Sequence, residues 1–272
     1  MNTSNVSKVM LLLALATSYS AIAAEGEVTD SDRIAQYREM ISDGNPADFD
    51  EMAGEELWKT PSGPKKATME KCDLGKGPGV VKGAYAELPR YFKDTGKVQD
   101  LESRLLTCMT TLQGIPEEEI TAKPFSTDAK KSDISTLATY VVGQSKGVTM
   151  NVSTKHPKEK EAYEIGKLIF NYRAGPYDFA CSTCHTTSNV RIRMQDLPNF
   201  KAKNSAQAAY TSWPAYRVSQ GLTRSFQWRL NDCFRQQRFP EPKFASELTV
   251  DLTMFLAVSA NGAPYAGPGL KR

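Results

Sequence analysis

The hydrophobic and polar positions of the chain alternate mainly with the period of an α-helix. Apolar residues recur every three or four positions, so that they share one face of each predicted helix. The stretches with this pattern are residues 34–41, 100–114, 133–143, 159–170, 246–259 and a segment that ends before Pro240. Residues 75–83, in contrast, hold too many glycines for regular structure. The pattern therefore predicts a mainly α protein.

The same spacing predicts which side chains of four of these helices face the protein core. They are Leu101, Leu105, Cys108 and Leu112; Ile134, Leu137, Ala138, Val141 and Val142; Ala162, Ile165, Ile169 and Phe170; and Leu248, Leu252, Phe255 and Leu256. We expect these positions to be buried, because an amphipathic helix turns its apolar stripe towards the core.

Polar segments divide the chain into four parts. Residues 1–23 have the pattern of a cleaved secretory signal peptide, with Lys8, a short apolar run and the small-residue site Ala21-Ile22-Ala23. A polar N-terminal arm follows at 24–45. The polar segment 151–160 then separates two globular domains, 46–150 and 151–272. The signal peptide predicts a periplasmic protein, and no later apolar run is long enough to span a bilayer.

Composition and charge change this picture little. A hydrophobic fraction of 40% in 272 residues is enough for one large core or two modest ones. The net charge of +3 is spread along the chain, so it gives no reason to expect a nucleic-acid partner.

The segment Cys181-Ser182-Thr183-Cys184-His185 has the C-x-x-C-H pattern of covalent c-type haem attachment. Cys181 and Cys184 would bind the haem vinyl groups, and His185 would be one axial ligand of the iron. A zinc site would need more ligands than five Cys and two His supply at this spacing. A thioredoxin-like dithiol would follow a strand, whereas the pattern predicts a helix before the motif. We therefore expect one covalently bound c-type haem, in domain 151–272.

The first domain has no C-x-x-C-H motif but contains Cys72 and Cys108. In an exported protein these two residues are expected to form a disulfide, although a catalytic role for the pair is an alternative. Closing a loop of this length stabilises a fold by about 4 kcal/mol in the chain-entropy estimate. The first domain is therefore predicted to be stabilised by a disulfide and to lack haem.

Cys233 is left without a partner, and Arg229 stands one helical turn before it. The two side chains share a helix face, and a nearby cation favours the thiolate, which is both a nucleophile and a metal ligand. The alternative is a buried free cysteine beside Trp228 and Phe234, with Arg229 as a solvated charge.

Three other residues could serve as the second axial ligand of the iron. Met194 is close to His185 in sequence, Met254 lies on the apolar face of the last helix, and His156 lies in a charged segment. None of them is well placed, so His185 and Cys233 are the expected axial pair, and the thiolate should hold the reduction potential low.

Several motifs together resemble the SoxA family, the larger subunit of the SoxAX cytochromes of bacterial thiosulfate oxidation. The motifs are CSTCH at 181–185, RIRMQDLP at 191–198, SWPAYR at 212–217, RLNDC at 229–233, GPGVVKGAY at 77–85 and LPRYF at 88–92. Some relatives bind two haems. This chain lacks the first haem motif and resembles the single-haem type, in which a cysteine pair stands where the first haem was lost.

The resemblance implies two cytochrome-c-like domains in tandem, of which only the second binds haem. It also implies that Cys233 is the active-site cysteine, which ligates the haem iron and is found as a persulfide, and that Arg229 contacts the substrate. The implied activity is that of an L-cysteine S-thiosulfotransferase. Thiosulfate is joined oxidatively to the cysteine of a carrier protein, SoxYZ, and the electrons leave through haem in a heterodimer with the monohaem cytochrome SoxX.

Two other functions stay open at this point. One is a periplasmic electron-transfer cytochrome in which Cys233 has no role. The other is a thiosulfate dehydrogenase that forms tetrathionate without a carrier protein, although the two-domain pattern with Cys72 and Cys108 fits that class poorly.

Overall fold

The computed structural model describes residues 44–122, 132–192 and 195–271. The predicted signal peptide, nearly all of the predicted arm, the helix expected at 34–41 and Met194 lie outside these residues. All of the described residues belong to one compact unit. Among them, no helix is both long and apolar enough to cross a membrane.

Most of the regular structure is helical, as the hydrophobic pattern predicts. The described helices are α1 (Ala47–Lys59), α2 (Leu101–Cys108), α3 (Glu117–Ala122), α4 (Asp133–Gly143), α5 (Pro157–Asn171), α6 (Cys181–His185), α7 (Lys203–Thr211), α8 (Phe226–Gln236) and α9 (Glu247–Val258). A 3-10 turn lies at Tyr85–Glu87, and a π-helical turn at Met109–Gln113 continues α2.

The strands of the described residues are short and form three small sheets. Two are antiparallel pairs, β1 (Arg90–Phe92) with β2 (Lys97–Gln99) and β3 (Arg191–Ile192) with β4 (Gln195–Asp196). In the third sheet, β5 (Ala215–Arg217) lies between antiparallel β6 (Leu222–Arg224) and parallel β7 (Gly269–Lys271).

Two helix pairs pack closely at glycine. Helix α1 packs on α4 in the first half of the chain (residues 44–150), and α5 packs on α9 in the second half (residues 151–271). A Cβ added at Gly54 would collide with the backbone carbonyl of Thr136, and a Cβ at Gly166 would collide with that of Asp251. Glycine is therefore required where the two helices of each pair cross.

Several features after α1 and α5 recur in the same order in both halves. Gly63-Pro64 and Gly175-Pro176 form similar turns, with glycine φ angles of 69° and 71°. Each turn is closed by an isolated antiparallel bridge, Ser62 with Ala67 and Ala174 with Phe179. Cys72 then stands at the same distance in sequence from its Gly-Pro turn as Cys184 does from its own.

The repeat continues through a hairpin and a helix. Hairpin β1–β2 leads into α2, and hairpin β5–β6 leads into α8. Cys108 follows Pro89 at the distance at which Cys233 follows Pro214, and each cysteine has an arginine four residues earlier. The two halves therefore share one plan, with α2 as the counterpart of α8.

Cys72 and Cys108 are joined by a disulfide, with a Cα–Cα distance of 5.5 Å. The predicted pairing is thus present, and both residues are buried. By the correspondence above, the bridge joins the positions that hold Cys184 and Cys233 in the second half.

Arg104, the first-half counterpart of Arg229, is buried and paired with a carboxylate. Its side chain is 5% exposed, and its Nη1 lies 2.8 Å from Asp94 Oδ2. Its Nε donates to the backbone carbonyl of Asp73 at 2.6 Å, and its guanidinium carbon stands 4.0 Å from the centre of the Phe92 ring.

Helix boundaries agree well with the hydrophobic pattern. The prediction of a helix at 133–143 is confirmed, and its predicted inward residues are buried. The helix predicted from residue 100 begins after Asp100, whose carboxylate caps it, and its π-helical continuation ends at Gly114, which has a φ of 74°. Burial was wrongly predicted at Ile165 and Leu248, which are each 38% exposed, because both lie at the edge of an apolar stripe.

A buried polar cluster ties the two halves together. Gln227 of α8 is 0% exposed, and its amide nitrogen donates to Asp100, while its backbone nitrogen lies 3.3 Å from Glu102 Oε1. The oxygen of the same amide accepts from the backbone of Ala245 at 2.7 Å. Burial and the neighbouring Asp100 carboxylate raise the pKa of Glu102 to about 8.

This cluster should make stability depend on pH. Glu102 keeps its proton in the folded protein up to a pH of about 8, whereas its ordinary pKa is 4.5. The unfolded chain therefore loses the proton first, and the free energy of unfolding should fall as pH rises through this window. Glu102→Gln should flatten that fall in urea unfolding at several pH values. The exposed control Glu118→Gln should keep the wild-type slope, and a wild-type slope in Glu102→Gln would contradict the assignment.

The crossing of α5 and α9 gives a second stability prediction. Gly166→Ala should lower the free energy of unfolding by about 1–3 kcal/mol, because the added methyl group overpacks the contact with the backbone of Asp251. Urea unfolding measures this change. Gly44→Ala is the control, since a Cβ there meets nothing within 4 Å, and it should be nearly neutral. Equal stability of the two variants would show that the contact is loose.

Candidate functional site

The C-x-x-C-H motif forms the short helix α6, directly after the turn that follows α5. The Thr183 hydroxyl accepts from the backbone nitrogen of Ala180 at 2.9 Å, which fixes the start of the helix. Residues three and four apart share a helix face, so Cys181, Cys184 and His185 project together. All three are partly buried. Two thiols and an imidazole on one face are the donor set that attaches and ligates a c-type haem.

His185 is oriented by the loop that follows the motif. Its Nδ1 lies 2.9 Å from the carbonyl oxygen of Pro198, so Nδ1 carries the proton and donates, and the lone pair of Nε2 is left for a metal. The Phe200 ring packs edge-on against the imidazole, with ring centres 5.8 Å apart. Burial lowers the pKa of His185, and the charge of Arg229 acts in the same direction. The ring is thus held neutral, which is the form that ligates iron.

Cys233 lies beside the motif although it is 49 positions from Cys184 in the numbering. It stands on α8, whose N-cap is Ser225, and the serine hydroxyl accepts from the backbone nitrogen of Trp228 at 3.1 Å. Cys233 is a partly buried free thiol. Burial raises the pKa of Cys181 to about 12, and electrostatic interaction with Cys233 adds to the rise. The structure therefore brings together the sulfur atoms that the sequence analysis assigned to one site.

Arg229 is held at this site by Asp232, a residue that the sequence analysis missed. Arg229 Nη1 lies 2.9 Å from Asp232 Oδ2, and Arg235 Nη2 lies 2.6 Å from the other oxygen of the same carboxylate. Gln236 also donates to Asp232, at 2.8 Å. A signal was present in the sequence, since an acid three residues after Arg229 and three before Arg235 shares their helix face.

A further cation, Arg217 at the end of β5, was also missed as a site residue. Burial lowers its pKa, and so does Arg229, while Asp232 and Cys233 have the opposite effect. These interactions place the Arg217 guanidinium in the same group of side chains. It stands in the SWPAYR motif at 212–217, but its position in sequence gave no sign of its proximity to Cys233.

The other possible axial ligands have different roles in the structure. His156 caps α5, with its Nδ1 accepting from the backbone nitrogen of Lys158 at 3.2 Å, and its ring stacks on Tyr91. Met254 is 0% exposed and belongs to the main hydrophobic core. Met194 lies outside the described residues. His156 and Met254 thus have structural roles, whereas Cys233 interacts with Cys181 of the haem motif.

Comparison with known proteins identifies the family of the chain. The model of the SoxA/TsdA cytochrome c domain matches residues 53–150. The chain is 49% identical, over 98% of both chains, to an L-cysteine S-thiosulfotransferase subunit SoxA from Hydrogenophilus thermoluteolus. It is 33% identical to a protein of the same name from Hydrogenobacter thermophilus, over 84% of this chain and 82% of that one.

The fold is similar to that of a solved structure. The crystal structure of SoxXA from P. pantotrophus aligns with a TM-score of 0.71 and 22% identity, over 87% of this chain and 84% of that one. At this identity the match establishes the fold, a helix-rich cytochrome c architecture. A cytochrome c domain in turn implies a c-type haem with iron. From the identity of 49% over nearly its full length, the chain belongs to the SoxA family of L-cysteine S-thiosulfotransferase subunits.

Proposed function

We propose that this protein transfers thiosulfate oxidatively onto the cysteine of a SoxYZ-type carrier protein. It acts in the periplasm, as a heterodimer with a SoxX-type monohaem cytochrome. The observation that carries this proposal is the position of Cys233, a free cysteine held beside the haem motif together with Arg229. An electron carrier would need an axial ligand there, but it would not need an arginine that is positioned by its own carboxylate.

A single covalent haem fits the residues that are present. Cys181 and Cys184 would form the thioether bonds, and His185 offers a Nε2 lone pair because its Nδ1 is bonded to Pro198. Cys233 would supply the second axial ligand. When bound, a c-type haem supplies one-electron redox chemistry.

The repeated plan supports two cytochrome-c-like domains in tandem, with haem only in the second. The family model matches the half that lacks C-x-x-C-H. In that half a disulfide joins the counterparts of Cys184 and Cys233, so neither sulfur is free to attach or ligate haem. This arrangement corresponds to the single-haem type.

The residues of the site would have different roles in the transfer of thiosulfate. The sulfur of Cys233, as a persulfide, would be the group that meets the sulfane sulfur of thiosulfate. Arg229 would bind the sulfonate oxygens through two parallel N–H bonds, in an orientation fixed by Asp232. Overall, a sulfur–sulfur bond forms between thiosulfate and the carrier cysteine, the thiol proton is released, and two electrons pass to the partner cytochrome.

The electron paramagnetic resonance spectrum of the ferric protein tests the axial ligand. The wild type should give a low-spin His/thiolate signal at low temperature, and Cys233→Ala should abolish it, because the thiolate is removed from the iron. Met194→Leu is the matched control and should keep the signal. Identical His/Met-type signals in the wild type and in Cys233→Ala would place Cys233 away from the haem and favour an electron carrier.

Product analysis tests the reaction. With thiosulfate, carrier and an electron acceptor, the heterodimer should add a thiosulfate group to the carrier cysteine, as measured by intact-protein mass spectrometry. Arg229→Gln should lower kcat/KM by about tenfold to a hundredfold, since a charge-assisted contact is lost. Arg173→Gln is the control, because Arg173 pairs with exposed Asp178 at the surface. Tetrathionate formed without carrier would instead identify a thiosulfate dehydrogenase.

A further inference from the structure

The backbone of Arg217 is fixed on both sides. Arg217 is the last residue of β5, where it pairs with Leu222 of β6 and Lys271 of β7. Its carbonyl oxygen accepts from the backbone nitrogens of Gln220 and Gly221, each at 2.9 Å. A side chain that projects from such a backbone has a defined direction, which suits a binding residue.

The Arg217 side chain packs inward and leaves one donor unpaired. Its guanidinium carbon stands 5.8 Å from the centre of the Trp228 ring, and Trp228 is 2% exposed. Its Nε is buried and has no hydrogen-bond partner among the described residues. Buried N–H groups of native proteins nearly always have an acceptor, so this donor indicates that an acceptor from outside the described chain belongs here.

Arg224 also lies over the Trp228 ring, but its Nε has a hydrogen-bond acceptor. Its guanidinium carbon stands 5.0 Å from the ring centre, and its Nε donates to Gln220 at 3.0 Å. The contact with Trp228 therefore does not by itself explain why the Nε of Arg217 lacks an acceptor.

The positive charges near Cys233 outnumber the negative ones. The carboxylate that interacts with Arg217 is that of Asp232, and it already accepts from Arg229, Arg235 and Gln236. Three guanidinium groups thus share one carboxylate and the sulfur of Cys233. The remaining positive charge beside the Cys233 sulfur is suited to an anion.

We propose that Arg217 is a second anion-binding residue of this site and that it binds the sulfonate oxygens of a dianionic oxo-sulfur substrate together with Arg229. This inference rests on the proposed function, since it concerns the same substrate. Arg229 approaches the anion from α8 and Arg217 from β5. Two guanidinium groups on different elements fix the direction of the sulfonate and so turn the sulfane sulfur of thiosulfate towards Cys233. They also favour a dianion over a monoanion of similar shape.

The test is equilibrium binding of thiosulfate to the haem-loaded heterodimer, without carrier or electron acceptor, by isothermal titration calorimetry. Arg217→Gln should weaken binding by about tenfold or more, because a charge-assisted contact is lost. Arg217→Lys should lie between the wild type and Arg217→Gln, since lysine keeps the charge but loses the planar fork. Arg173→Gln removes the same charge from the exposed surface of the second half and should bind as the wild type does.

Two further measurements separate binding from structure. Arg217→Gln should keep the melting temperature and the ferric resonance signal of the wild type, and in turnover its KM should rise more than its kcat falls. In the double variant with Arg229→Gln, the two losses should not add, because both residues contact one anion. Wild-type affinity in Arg217→Gln would overturn the inference, as would a loss of affinity accompanied by a changed resonance signal.

Failure of this inference can be told from failure of the proposed function. If Arg229→Gln loses thiosulfate affinity and Arg217→Gln does not, only the role of Arg217 is wrong. If neither variant changes the affinity, thiosulfate does not bind at this site, and the proposed function is wrong as well.

Discussion

The contact of α5 with α9 at Gly166 fixes the position of the haem motif. Helix α5 leads through one turn into α6, so any shift of α5 would move Cys181, Cys184 and His185 together. The absence of a side chain at Gly166 lets the α5 backbone approach the carbonyl of Asp251. Packing of this kind is rigid, because close-packed interiors do not deform continuously. The motif is therefore held by a backbone contact between the first and last helices of its half.

The second element of the site, α8, is held by polar rather than apolar contacts. Gln227 reaches across to Asp100 and Glu102 of the first half while its side-chain oxygen accepts from Ala245. These groups are buried, so the loss of one partner would leave the others without hydrogen bonds. The first half thus contributes no ligand to the site, but it holds in position the helix that carries Cys233.

The sequence predicted the helices and the chemistry better than the arrangement. Helical spacing is a local signal, so α4 and α9 were predicted nearly to the residue. The motif CSTCH at 181–185 was sufficient by itself to predict covalent haem attachment. Strands of two or three residues are too short for an alternating pattern, which is why the sheet that carries Arg217 was not predicted. Asp232 was missed although its spacing from Arg229 was visible. The resemblance implied two similar domains, but the residues that correspond between the halves were not identified, because the halves share few residues. The turns Gly63-Pro64 and Gly175-Pro176 were a signal of that correspondence.

Because the plan of the chain is repeated, the molecule contains an internal reference for its own active site. Arg104 stands where Arg229 stands in the other half, and its neighbours are a carboxylate, a backbone carbonyl and an aromatic ring. The cysteine of the same half has likewise been closed into a bridge. The incomplete pairing of Arg217 beside Cys233 contrasts with the contacts of Arg104, and it is the kind of stability cost that active sites commonly carry.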